Sequence, residues 1–208
     1  MSPWALIGAG IALSGVGWFA VDRIANGTPG GLTGHLTVLA LYWAFFCVPL
    51  AVFGVGPSRL RAMVSLRLDD AWFVPWLVMA PAALLLVAGI TLEGLASLPF
   101  HAYVFGVGIA LINAPLEEIA WRGAFLAAGR WRVTLQFAGL ILFTAWHIPL
   151  ALSDTSPIEP WVLFVVSSYA LGLIYAIATY RTGRVGWPIL GHFAMNCVTL
   201  PILFTPAL

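Results

Sequence analysis

Seven stretches of nearly unbroken apolar sequence dictate what this chain can fold into. They run over Trp4–Val21, Leu36–Val55, Ala71–Leu92, His101–Ala128, Arg132–Leu152, Pro160–Tyr180 and Val185–Phe204. A hydrocarbon core about 30 Å thick takes roughly 20 helical residues to cross. Inside it every backbone N–H and C=O must find a partner in the protein, which leaves helices or closed barrels. Barrel strands are short and alternate in hydrophobicity, whereas these runs are continuously apolar. The sequence therefore predicts an all-α polytopic membrane protein, with about seven transmembrane helices in one bundle and residues 1–208 as a single transmembrane domain.

Composition supports this. The chain is 62% hydrophobic and 8% charged, where a soluble domain carries about 25% charged residues. A net charge of +1 gives no case for a nucleic-acid partner. Cys47 and Cys197 both lie in apolar runs and read as buried free thiols. The N-terminus has no basic region ahead of its apolar run and reads as a retained first helix. Gly, Pro and polar clusters such as Asn26–Gly31 and Ser153–Pro157 mark loops. Gly8, Ala12, Gly10 and Ser14, at four-residue spacing, read as helix-packing faces.

The arginines orient the chain. Arg59, Arg61, Arg67, Arg130, Arg132, Arg181 and Arg184 fall in alternate loops, and only Arg23 falls in the opposite ones. This places the N-terminus and the arginine-rich loops in the cytoplasm and, for seven passes, the C-terminus outside.

Three charged residues remain at depth, all on the fourth segment: Glu117, Glu118 and Arg122. A charge at mid-bilayer costs about 2.5–3.5 kcal/mol on insertion scales, so such residues persist by pairing or by working. Glu118 and Arg122 stand at i, i+4 with the acid N-terminal, the favourable order for an ion pair. Glu117 points about 100° away from Glu118, and its own i−4 neighbour is Asn113. Pro115 cannot donate to the carbonyl of Leu111 and is expected to kink the helix. His147 on the fifth segment shares a face with Phe143, and His192 shares one with Asn196 on the seventh. Counted from the arginine-rich side at 1.5 Å per residue, Glu117 lies about 18 Å deep, His147 about 22 Å and His192 about 12 Å. Side-chain length and helix tilt can close that spread into one site. His35 and His101, at segment ends, read as interface residues.

A carboxylate in a cavity can act as a general base, and a neighbouring histidine can share its water. A second histidine and an amide can donate to a developing oxyanion. Glu117, His147 and His192 are also zinc-ligand types. The chain has no His-Glu-x-x-His, no Gly-x-Ser-x-Gly and no aspartate at depth, which excludes those hydrolase designs.

Glu117-Glu118-x-x-x-Arg122, Phe143-x-x-x-His147 and His192-x-x-x-Asn196, in that order, resemble the three motifs of the CAAX-processing and bacteriocin-processing (CPBP, or Abi) intramembrane endopeptidases, related to the type II CAAX prenyl endopeptidases. The resemblance covers about residues 100–200. It implies that Glu117 is the general base, that His147 helps activate the water, that His192 and Asn196 stabilise the oxyanion, and that Glu118 and Arg122 support the site. It implies a glutamate-dependent reaction with no required metal; a bound zinc would fall to Glu117, His147 and His192. It further implies a membrane-associated protein or peptide substrate, cut near its C-terminus or beside a membrane segment. The compact size favours a prokaryotic plasma-membrane relative. The same buried groups also fit a transporter or proton relay, or a non-catalytic membrane binding protein.

Overall fold

The computed structural model describes residues 1–27, 32–67, 71–91, 95–129, 132–153 and 161–204. Among them every regular element is helical. The first helix, α1 (Pro3–Ala20), opens on Ser2, whose Oγ accepts from the N–H of Ala5 at 3.2 Å, with Pro3 at its first position. It runs on through a π turn, Val21–Ala25. Helix α2 (Leu32–Tyr42) continues through π turns at Trp43–Cys47 and Leu50–Val55. Gly56, at a φ of 86° that suits a residue without Cβ, turns the chain into the short α3 (Pro57–Met63). Then come α4 (Val74–Thr91) and α5 (Phe100–Glu118). A π turn, Ile119–Gly123, joins α5 to α6 (Ala124–Ala127). The chain closes with α7 (Arg132–Ala151), α8 (Trp161–Thr182) and α9 (Gly186–Phe204).

All seven apolar segments are helical, yet five meet the length and apolarity of a crossing: Pro3–Ala25, Leu32–Val55, Phe100–Ala127, Val133–Ala151 and Trp161–Thr182. The other two expected crossings, in α4 and α9, are not established among the described residues. Helix α4 is apolar along its length, and α9 carries His192, Asn196 and Thr199 among its apolar positions.

The bundle is apolar outside and charged inside. Phe45 is 78% exposed and Phe53 71%, whereas Glu118 is fully buried and Arg122 is 1% exposed. That distribution would be ruinous in water and suits a lipid surround, where an apolar exterior costs nothing and a charge is tolerated only within the protein. The chain is an integral membrane protein by this pattern and by its five long apolar helices.

Small residues set the helix approaches. On α5, a Cβ at Gly106 would lie 2.7 Å from Cδ of Pro201 on α9. On α1, a Cβ at Gly10 would lie 2.7 Å from Cδ1 of Leu142 on α7. Ser14 donates to the Gly10 carbonyl at 3.0 Å. The expected Gly8–Ala12 packing face is not one: both residues are exposed, and nothing lies within 4 Å of a Cβ at Gly8. The two faces of α1 are equally small, and only the neighbour, α7, chooses between them.

The main core gathers Tyr42, Phe46, Trp121, Phe125, Phe143 and Trp146. The buried indole of Trp121 donates to the Tyr42 hydroxyl at 2.6 Å, so the polar edges of both rings are satisfied. Both cysteines are free, Cys47 buried and Cys197 half-buried. Residues 28–31, 154–157 and Arg130, used above as loop and orientation signals, lie outside the described residues.

Candidate active site

Three helices deliver the polar residues to one place. Glu117, Glu118 and Arg122 come from the end of α5 and its π turn, His147 from α7, and His192 and Asn196 from α9. Glu117, His147, His192 and Asn196 all line a cavity of about 140 Å³, with Asn113, His35 and Thr199 beside them. One water needs about 10–15 Å³ by this kind of measure, so there is room for several.

The expected division between the glutamates is present. Arg122 Nη1 donates to Glu118 Oε1 at 3.1 Å, and both residues are buried. Asn113 Nδ2 donates to Glu117 Oε2 at 3.2 Å, one helical turn away. The i, i+4 pattern did not foretell what Glu118 does next: its Oε1 also lies 2.8 Å from His192 Nδ1. An ionised carboxylate only accepts, so Nδ1 carries the hydrogen and Nε2 is turned the other way. There it stands 3.6 Å from Glu117 Oε2. His192 thus spans the two glutamates.

Arg122 is held without a second acid. Its guanidinium lies over the Phe143 ring, 4.1 Å from the centroid, with Tyr175 at 5.9 Å. Stacking of this kind favours a desolvated cation. The approach of α8 depends on Gly172, where a Cβ would meet Leu140 Cδ1 at 2.8 Å and Arg122 Nη2 at 3.0 Å. The carbonyl of Arg122, in the π turn, accepts from buried Gln136 Nε2 at 3.0 Å. A π turn loosens the helical ladder and is often found at functional sites; here it follows the glutamate pair immediately. Helix α5 stays helical through Pro115, and the π turn begins four residues later.

His147 Nδ1 lies 2.8 Å from the carbonyl of Phe143. A carbonyl only accepts, so Nδ1 is the donor and the neutral ring keeps Nε2 as an acceptor. Phe143 serves both neighbours, with its ring under Arg122 and its carbonyl on His147. Asn196, one turn beyond His192, is 8% exposed, and among the described residues its Nδ2 has no hydrogen-bond partner. A buried donor left unpaired is costly, and this one belongs to a residue lining the cavity.

A family model described as type II CAAX prenyl endopeptidase Rce1-like matches residues 99–198. Residues 99–198 are thus similar to that family. Comparison with curated proteins and with solved structures finds no match. The Rce1-like stretch opens at α5 and holds Glu117, Glu118, Arg122, His147, His192 and Asn196, in keeping with the CPBP resemblance.

The cavity also draws on residues ahead of the Rce1-like stretch. His35 and Leu39 of α2 line it, and Trp43 Nε1 donates to Asn113 Oδ1 at 2.9 Å. His35 is thereby corrected from an interface residue to a cavity residue; His101 is exposed. No periodicity in α2 points to Trp43, because its partner lies 70 positions away. Among the described residues no group of three or more His, Cys, Asp or Glu side chains is arranged to hold a metal ion.

Proposed function

We propose that this protein is an intramembrane, glutamate-dependent endopeptidase that cuts a membrane-associated protein or peptide near its C-terminus or beside a membrane segment. The observation that carries the proposal is the convergence of Glu117, His147, His192 and Asn196, from three helices of the bundle, on one cavity with room for water. The Rce1-like match supplies the substrate class.

Glu117 takes a proton from a water in the cavity, and His147 Nε2, free to accept, orients that water. The water oxygen attacks the scissile carbonyl carbon, and the carbonyl oxygen gains the charge. Asn196 Nδ2, with no acceptor among the described residues, donates to it. His192 donates from Nε2 when both ring nitrogens carry hydrogen. As the tetrahedral intermediate collapses, the C–N bond breaks and the proton held by Glu117 passes to the leaving amine. Every step is met by side chains of this chain, so the proposal requires no metal.

We also propose that α4, an apolar helix of 18 residues, crosses the membrane. With α4 as a crossing, Arg59, Arg61, Arg67, Arg130, Arg132, Arg181 and Arg184 share the cytoplasmic side; without it the first three are separated from the rest.

The test is a comparison by mass spectrometry of C-terminal peptides of membrane proteins from cells expressing the native chain or Glu117→Ala at matched levels. A set of termini that depends on Glu117 supports the proposal. Identical termini, with both proteins folded and candidate substrates present, overturn it.

A further inference from the structure

We infer that Trp43 and Asn113 are positioning residues that fix which oxygen of Glu117 receives the proton; this rests on the reading of Glu117 as the base. An asparagine amide offers an acceptor at one end and donors at the other, and rotating the group by half a turn exchanges them. Within α5 the Glu117 carboxylate, which only accepts, calls for Nδ2 on its side. Trp43 fixes the other end. Its indole N–H only donates, so at 2.9 Å it holds Oδ1 of Asn113. Nδ2 is then turned toward Glu117, where it meets Oε2 at 3.2 Å.

The carboxylate is committed in turn. Oε2 receives Asn113 on one side and faces His192 Nε2 at 3.6 Å on the other. That leaves Oε1 for water. A carboxylate free to spin would offer either oxygen in many directions; this one is held at one corner. A general base earns its rate only when its lone pair is aligned with the water it deprotonates, and small misplacements are costly.

Trp43 reaches Asn113 from the start of a π turn, Trp43–Cys47, a widening that departs from α-helical register. It lies outside the Rce1-like stretch. The base is thus set by a contact between the part of the chain that matches the family and the part that does not.

The inference is tested on the full chain reconstituted in liposomes, with a farnesylated CAAX peptide carrying a fluorophore and quencher across the scissile bond. Trp43→Phe keeps an aromatic ring and removes the donor. Asn113→Asp keeps the shape and removes the donor to Glu117. Each should lower kcat by about tenfold to a hundredfold, with KM unchanged and thermal unfolding near that of the native chain. In an Asn113→Ala background, Trp43→Phe should lower kcat no further, because Trp43 acts through Asn113. A kcat unaffected by Asn113→Asp overturns the inference, as do losses that multiply in the double variant.

A second readout does not depend on turnover. The indole N–H resonance of Trp43, identified by its disappearance in Trp43→Phe, should move in Asn113→Ala; if it stays in place, the inference fails. Failure of the native chain to cut the peptide, with that resonance moving as expected, counts against the proposed substrate and leaves the orientation of Asn113 supported.

Discussion

The Nδ1 of His192 lies 2.8 Å from Oε1 of Glu118, a contact between residues 74 positions apart. That oxygen also accepts from Arg122 at 3.1 Å. The second glutamate is therefore both the partner of an arginine and the group that sets the tautomer of a histidine facing the cavity. The two roles make different demands on a substitution.

Removing Glu118 strands Arg122 in a buried site. Glu118→Ala should cost about 3–5 kcal/mol of stability. Arg122→Ala should cost a similar amount. Thermal unfolding of the detergent-solubilised protein measures both. Melting losses of under a degree would show that the pair is not what holds α5 in place.

Glu117 behaves differently. Among the described residues it meets no arginine, and its polar contacts are with Asn113 and His192. Glu117→Gln should lower turnover by at least the ~10²–10⁴-fold typical of a general base, with little change in melting. Retained cleavage by the folded variant would remove Glu117 from the chemistry.

Asn196→Ala should lower kcat by about 10²–10³-fold, the usual loss for one oxyanion donor. Because Nδ2 has no partner among the described residues, the substitution takes no hydrogen bond from that donor there. A stability loss larger than the activity loss would assign Asn196 to packing instead.

Gly172 separates space from chemistry. Gly172→Ala puts a Cβ 2.8 Å from Leu140 Cδ1 and 3.0 Å from Arg122 Nη2. Overpacking of that kind costs about 1–3 kcal/mol. Gly8→Ala, with nothing within 4 Å, is the matched control and should not destabilise. Equal behaviour of the two variants would place Gly172 away from α7 and Arg122.

Treatment with a chelator should leave cleavage intact, because the proposed reaction draws every proton and hydrogen bond from Glu117, His147, His192 and Asn196. Activity lost on chelation and restored by zinc would overturn this.

Much of this was legible in the sequence because membrane burial makes polarity conspicuous. In a chain that is 8% charged, a glutamate pair in an apolar helix stands out with no structure at all. Helical periodicity then separated Glu117 from Glu118 and paired Glu118 with Arg122, because i, i+4 neighbours are fixed by local geometry. The helical segments followed for the same reason: a bilayer forces the backbone to satisfy itself within each one.

What the sequence left open were relations between segments. Whether Gly8 or Gly10 faced a neighbour depended on where α7 lay. That His35 reached the cavity, that Trp43 held Asn113, and that His192 joined the two glutamates depended on α2, α5 and α9 packing side by side. Local periodicity says which residues share a face. Only the packing of helices far apart in sequence decides what that face meets, because those contacts are set by the shapes of both partners at once.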